Sequence, residues 1–200
     1  MHAYSIDTEE RKNILLILAI VSIVFSWGFY KILGYYQFSL PWWVESPSVL
    51  FFYGLLFVIF DRWLWQYFKK IDFVKTPNLN GVWNGNLKSS FDNHSAEVKA
   101  NLKIFQTWTS IKILLATDQS SSHSESASVV IDAPEGKYLS YQYINDPKSN
   151  AVETMGIHRG HRGTVRLIFD EKKNSLEGEY YSGRGRQNFG SLYFVRDNVS

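Results

Sequence analysis

The 200-residue chain contains no cysteine, which removes disulfide scaffolds, thiolate metal sites and cysteine nucleophiles from consideration. Net charge is almost absent too. Twenty-one Lys and Arg against 19 Asp and Glu leave a formal +2, too little for a protein that coats a nucleic-acid polymer. No G-x-S-x-G, H-E-x-x-H or Walker loop occurs. The serine-rich run 120–126 reads as a flexible polar turn, not as a nucleophile held beside a base. Glu177 and Glu179 share the outward parity of their strand, so no carboxylate pair faces inward, and no enzymatic activity is expected. Charge is missing altogether from residues 13–30, a run long enough to span a hydrocarbon core.

What is present is unevenly placed, with Trp and Phe crowding the N-terminal third and Tyr the second half. Residues 1–70 are expected to form a two-helix transmembrane domain, with spans at about 13–33 and 48–68. The first run exceeds the ~7–15 residues of a signal-peptide core. In the second, Asp61 and Arg62 belong near the interface, where Trp63, Trp65 and Tyr67 form an aromatic belt. Basic residues flank the pair outside (Arg11 and Lys12 before, Lys69, Lys70 and Lys75 after), which puts both termini on the cytoplasmic side. Gly28 leaves room for helix packing between protomers.

Residues 71–80 form a linker ending in K-T-P-N-L-N, after which the apolar period changes from helical to two. The clearest case is Val98, Ala100, Leu102 and Ile104 against Glu97, Lys99, Asn101 and Lys103. About eight such segments joined by short turns fill residues 81–200. The fold expected is therefore two N-terminal transmembrane α-helices followed by an all-β domain, an antiparallel up-and-down β-barrel, with a sandwich as the alternative. In that order alternate turns share one end. The linker, the 128–138 connection, the 170–176 turn and the C-terminus collect at one, and the loops at 91–94, 119–126, 146–161 and 183–188 at the other.

The inward face is polar toward that second end, where Tyr141, Tyr143, Asn145, Thr117, Tyr180 and Ser182 approach the Gly-Arg-Gly-Arg turn carrying Arg184 and Arg186. Rings that stack on bases, amides and hydroxyls that meet base edges and arginines for phosphates are the components of a nucleotide pocket. Trp83 reads as core at the opposite end. His158 and His161 project to opposite faces of an extended segment, so no metal is expected, and Arg159, Arg162 and Arg166 read as a solvated or protomer-facing surface. A membrane-tethered lipid carrier and a packed interaction module remain as rival readings.

Two N-terminal spans, P-x-L-x-G-x-W-x-G at 77–85, Y-x-Y-x-N-x-P at 141–147 and L-E-G-x-Y-Y-S-G-R-G-R at 176–186 together resemble the two-transmembrane, β-strand-rich effectors of bacterial CBASS anti-phage systems. The resemblance implies an inner-membrane protein linked to a cGAS/DncV-like nucleotidyltransferase. Its β-barrel would bind a cyclic di- or oligonucleotide and need no cofactor, and its helices would assemble on binding to breach the membrane and abort infection. Carried over, Tyr143, Asn145, Tyr180 and Arg184 are ligand contacts, with Arg184 on a phosphate.

Overall fold

The charge-free run forms helix and the alternating segments form strand, as their periods require. A computed structural model describes residues 1–36, 42–148, 160–183 and 187–197, with backbone only for 42–48. The chain divides into two compact units: Thr8–Lys75, and Met1–Asp7 together with Thr76–Ser200.

In the helical unit, α1 (Glu10–Tyr35) is followed by α2 (Trp42–Ile59), a π-helical turn (Phe60–Leu64) and α3 (Trp65–Lys70). α1 buries Ile14, Leu18, Ser22 and Ser26, one stripe at a spacing of four. Phe25 and Phe29 pack on Phe52, with ring centroids 6.2 and 5.7 Å apart. The Glu10 carboxylate accepts from the Lys75 N–H, tying the start of α1 to the end of the unit. Leu16, Ile20, Val24 and Trp27 stay exposed, an apolar face suited to lipid and not to water. Glu10–Tyr35 and Val49–Lys70 are both long and apolar enough to cross a membrane.

Among the described residues, the second unit is a closed barrel of nine strands: β1 (His2–Ile6), β2 (Gly81–Ser89), β3 (Val98–Gln106), β4 (Ser110–Thr117), β5 (Ser120–Val130), β6 (Tyr138–Pro147), β7 (His161–Asp170), β8 (Ser175–Ser182) and β9 (Phe189–Arg196). β2 to β9 form the expected antiparallel meander, closed by β2 on β9. β1 is the departure. It lies antiparallel on β4 (His2↔Ile111) and parallel to β5 (Tyr4↔Ala127, Ile6↔Val129), in a seam where β4 and β5 pair directly only through Leu114–His123, Leu115–Ser122 and Ala116–Ser121. The Asp7 carboxylate holds it there, accepting from the Ile131 N–H at 2.9 and 3.0 Å and from the Asp132 N–H at 3.0 Å. Residues 120–126 also differ from expectation. They are not a turn but the first half of β5, displaced in parity by a bulge between Ser124 and Ser126.

The chain leaves the barrel after Ile6 and re-enters at Gly81, both at one end. That end is filled. Trp83, Leu102, Ile104, Ile113, Leu139, Leu167, Leu176 and Phe194 are fully buried there. The Trp83 indole N–H donates to the Leu79 carbonyl (3.0 Å), its ring meets Phe169 edge-on and the Arg196 guanidinium caps it at 4.3 Å. Trp83 is thus the core residue that its position in the first barrel strand implied. Burial lowers the Arg196 pKa below its ordinary value, as expected for a cation covered by an indole and not paired with an acid.

Candidate functional site

The other end is open. β6 turns Tyr141, Tyr143 and Asn145 inward, β8 turns Tyr180 and Ser182 inward, and β4 ends on Thr117. All six line one cavity of about 340 Å³, at the small end of the ~300–1,000 Å³ usual for ligand pockets. Arg184 and Arg186 lie outside the described residues, as do His158 and Arg159. Arg184 follows directly on Gly183, two residues beyond the wall residue Ser182.

The lumen stays open because two tyrosine rings lie in recesses left by glycine. Tyr143 is opposite Gly163 across β6–β7, and a Cβ on Gly163 would stand 2.5 Å from the Tyr143 ring. Tyr180 is opposite Gly190 across β8–β9, where an added Cβ would stand 2.6 Å from the Tyr180 ring. Each ring therefore covers a neighbouring strand's bare backbone and forms wall instead of plug. Tyr141 and Tyr143 meet at 6.5 Å between centroids, and Tyr143 meets His161 edge-on at 6.0 Å.

Tyr141 is the most deeply set of the group. Its hydroxyl is buried and has no hydrogen-bond partner among the described residues. Burial, and then the adjacent Tyr143, push its pKa far above the ordinary tyrosine value, so it stays neutral at any physiological pH. Thr117 is committed locally. Its hydroxyl accepts from the N–H groups of Ser120 (3.0 Å) and Gln119 (3.3 Å), closing the β4–β5 turn, so it contributes wall more than a free donor.

Sequence reasoning missed Ser120, Ser122, His161 and Asn188, all of which line the cavity. Ser122 lies opposite Asn145 and faces inward because the β5 bulge displaces its parity from that of Ala127; without that bulge the serine run shows no core-facing pattern. His161 was legible, since it shares the parity of Val165 and Leu167. Arg162 and Arg166 point outward as expected and pair with Glu125 and Glu135. No Lys or Arg lines the cavity among the described residues; its polar wall is made of hydroxyl, amide and imidazole groups and one carboxylate, Asp92. The hydroxyl, amide and imidazole groups of this wall suit sugar and base. Among the described residues no cluster of three metal-ligating side chains occurs.

The fold and site thus define a two-part class of protein: two helices of membrane-spanning length followed by a closed β-barrel with a tyrosine-walled cavity. The chain belongs to the Cap15 family: residues 74–196 match the Cap15 cyclic dinucleotide receptor domain and residues 12–66 the Cap15 TM helices. It is 35% identical over 143 residues, 70% of its length, to a CD-NTase-associated protein 15 of Yersinia aleksiciae. It is 31% identical over 125 residues, 62% of its length, to one of Staphylococcus schleiferi. The chain spans 65% and 64% of the length of these relatives. The family is the one that the motifs at 77–85, 141–147 and 176–186 resemble.

Proposed function

We propose that this chain is a CBASS effector whose barrel binds a cyclic dinucleotide made by an associated cGAS/DncV-like nucleotidyltransferase. Binding drives assembly of the membrane helices, disrupts the bacterial inner membrane and aborts infection. Both termini face the cytoplasm, where the messenger is made. The protein acts as a receptor and carries out no chemistry on its ligand. The observation that carries this reading is the convergence of six polar and aromatic residues from three strands on one cavity, inside the segment that matches the receptor domain.

Tyr143 and Tyr180 offer ring faces for bases, Asn145 and Ser182 meet base or ribose edges, and Arg184, with Arg186, meets phosphate. A ligand shifts an equilibrium only through differential affinity, so the messenger binds the assembled state more tightly than the resting one. Confinement to a membrane raises effective concentration, which makes a modest bias sufficient.

The test is a thermal-shift and calorimetry panel on the full-length protein in detergent. A cyclic di- or oligonucleotide stabilises it by mass action, and Arg184→Ala removes that shift while leaving the ligand-free Tm unchanged. Stabilisation by a fatty acid alone would convert the reading to a lipid carrier, and a silent panel to an interaction module.

A further inference from the structure

The outer surface of the barrel is electrostatically divided. On β3 the outward positions are Lys99, Asn101, Lys103 and Phe105, and on β4 they are Ser110, Lys112, Leu114 and Ala116. No acid stands among them, and Lys99, Lys103 and Lys112 form no ion pair among the described residues. Of the acids at the ends of these strands, Glu97 is taken by Lys88 at 2.8 Å, and Asp118, just past β4, lines the same shallow groove as Lys99 and Ala116. Phe105 is about half exposed in the middle of this basic face.

On β8 and β9 the outward positions are Glu177, Glu179 and Tyr181, then Phe189, Ser191, Tyr193 and Val195. Tyr181, Phe189, Tyr193 and Val195 are all more than two-fifths exposed, and the two glutamates have no cationic partner among the described residues. Arg166 stands opposite Glu179 in register, yet it pairs with Glu135 and stacks on Tyr138 at 4.2 Å. Lys173, the other cation of this groove, pairs with Asp170 at 3.5 Å. The neighbouring cations are turned away from the glutamates, leaving an aromatic face with two carboxylates that no cation pairs, one of which, Glu179, accepts from the Tyr181 hydroxyl.

We propose that these two faces bind each other in neighbouring copies, the β8–β9 face of one barrel on the β3–β4 face of the next. The spacings agree. Glu177 and Glu179 are two residues apart on one strand, roughly 7 Å. Lys103 and Lys112 are diagonal neighbours, since Lys103 pairs with Leu114 and Lys112 with Phe105, an offset of ~7–8 Å. Phe105 and Leu114 then meet the tyrosines and Val195. Because the faces are different surfaces of the same barrel, the contact is head-to-tail and extends into an open row or a ring instead of closing as a two-fold dimer. It deepens the assembly step proposed above and supplies the surface on which that step acts.

The absence of native cysteine makes a clean test possible on the full-length chain in lipid vesicles, with and without a cyclic dinucleotide. A mixture of Ala116→Cys and Ser191→Cys chains should give a dimer with a short bis-maleimide, and the double variant a ladder, while either single variant alone gives neither. Glu177→Lys with Glu179→Lys should abolish the ladder, as should Lys103→Glu with Lys112→Glu, and all four changes in one chain should restore it. Self-crosslinking of one single variant, or no ladder in either condition, overturns the proposal. So does a lysine reversal that weakens binding to vesicles rich in anionic lipid while leaving the ladder intact. The thermal shift with cyclic dinucleotide should persist in every charge variant, reduced in those that cannot assemble because binding and assembly are linked, so loss of the contact and failure of the ligand reading are separable.

Discussion

Tyr141→Phe is expected to make the barrel more stable. The residue is 3% exposed and its hydroxyl has no hydrogen-bond partner among the described residues. The same hydroxyl is hydrated in the unfolded chain, so folding desolvates it without compensation at about 1–3 kcal/mol. Phenylalanine keeps the ring and its contact with Tyr143 and leaves only an oxygen-sized gap, which takes back part of that gain. A net stabilisation of about 1 kcal/mol follows, or roughly 3 °C in Tm for a unit of this size. The difference should also depend on pH. Because the folded-state pKa of Tyr141 is raised above its ordinary 10.0, the folded protein holds this proton more tightly than the unfolded chain does. That contribution is fully present below pH 10 and is lost as the pH climbs from there toward the folded pKa. Phenylalanine has no such loss, so the variant's advantage widens above pH 10. Thermal melts of the full-length protein at neutral pH and just above pH 10 measure both effects. The hydroxyl is sealed from solvent and the ring is what walls the cavity, so affinity for a cyclic dinucleotide should change by less than about threefold. A lower Tm for the variant would refute the reasoning, and a loss of affinity beyond about tenfold would place the hydroxyl on the ligand.

The same substitution at Tyr4 should have the opposite sign, because its buried hydroxyl donates to the Trp108 carbonyl at 2.8 Å and accepts from the Gln106 amide at 3.2 Å; Tyr4→Phe should cost about 1–2 kcal/mol in thermal melts. Asp7→Ala removes the acceptor for the Ile131 and Asp132 N–H groups and should cost about 2 kcal/mol, with faster amide hydrogen exchange at those two positions. Gly163→Ala places a Cβ 2.3 Å from the Tyr181 carbonyl oxygen and 2.5 Å from the Tyr143 ring. Strain of about 1–3 kcal/mol follows, together with weaker ligand binding as the ring is pushed into the lumen; an unchanged Tm would show that the two strands separate freely.

The eight-strand meander was legible because each segment from Gly81 onward carries a clean period of two and short turns fix neighbours. The ninth strand was not. His2, Tyr4 and Ile6 alternate with small residues, but five residues ahead of an apolar helix carry too little pattern to announce a partner, and their pairing is set by a gap between β4 and β5 that exists only in three dimensions. The serine half of β5 was lost for a related reason. Serine has weak strand preference, and the bulge at Ser124 and Ser126 puts Ser122 and Ala127 on the same face although they differ in parity. Tyr143 and Tyr180 were found from parity alone, but the glycine recesses that make them wall instead of filler depend on cross-strand register, which no single strand encodes.

One property of the site does run through the strands themselves. Along β6 the inward positions pass from Leu139 through Tyr141 and Tyr143 to Asn145, along β4 from Ile111 and Ile113 through Leu115 to Thr117, and along β8 from Leu176 through Gly178 and Tyr180 to Ser182. β5 runs the other way in sequence, from Ser120 and Ser122 to Val129, and the same way in space, because antiparallel neighbours reverse direction. Four strands thus lay down one gradient, apolar at the end where the chain enters at Gly81 and hydroxyl- and amide-bearing at the other. Apolar burial at the first end supplies the free energy that lets the second remain unfilled. A barrel packed for stability alone has no reason to order polarity along its axis. The ordering suits the polar edges of a base and a ribose, the ligand proposed above, in a lumen that must also hold itself together.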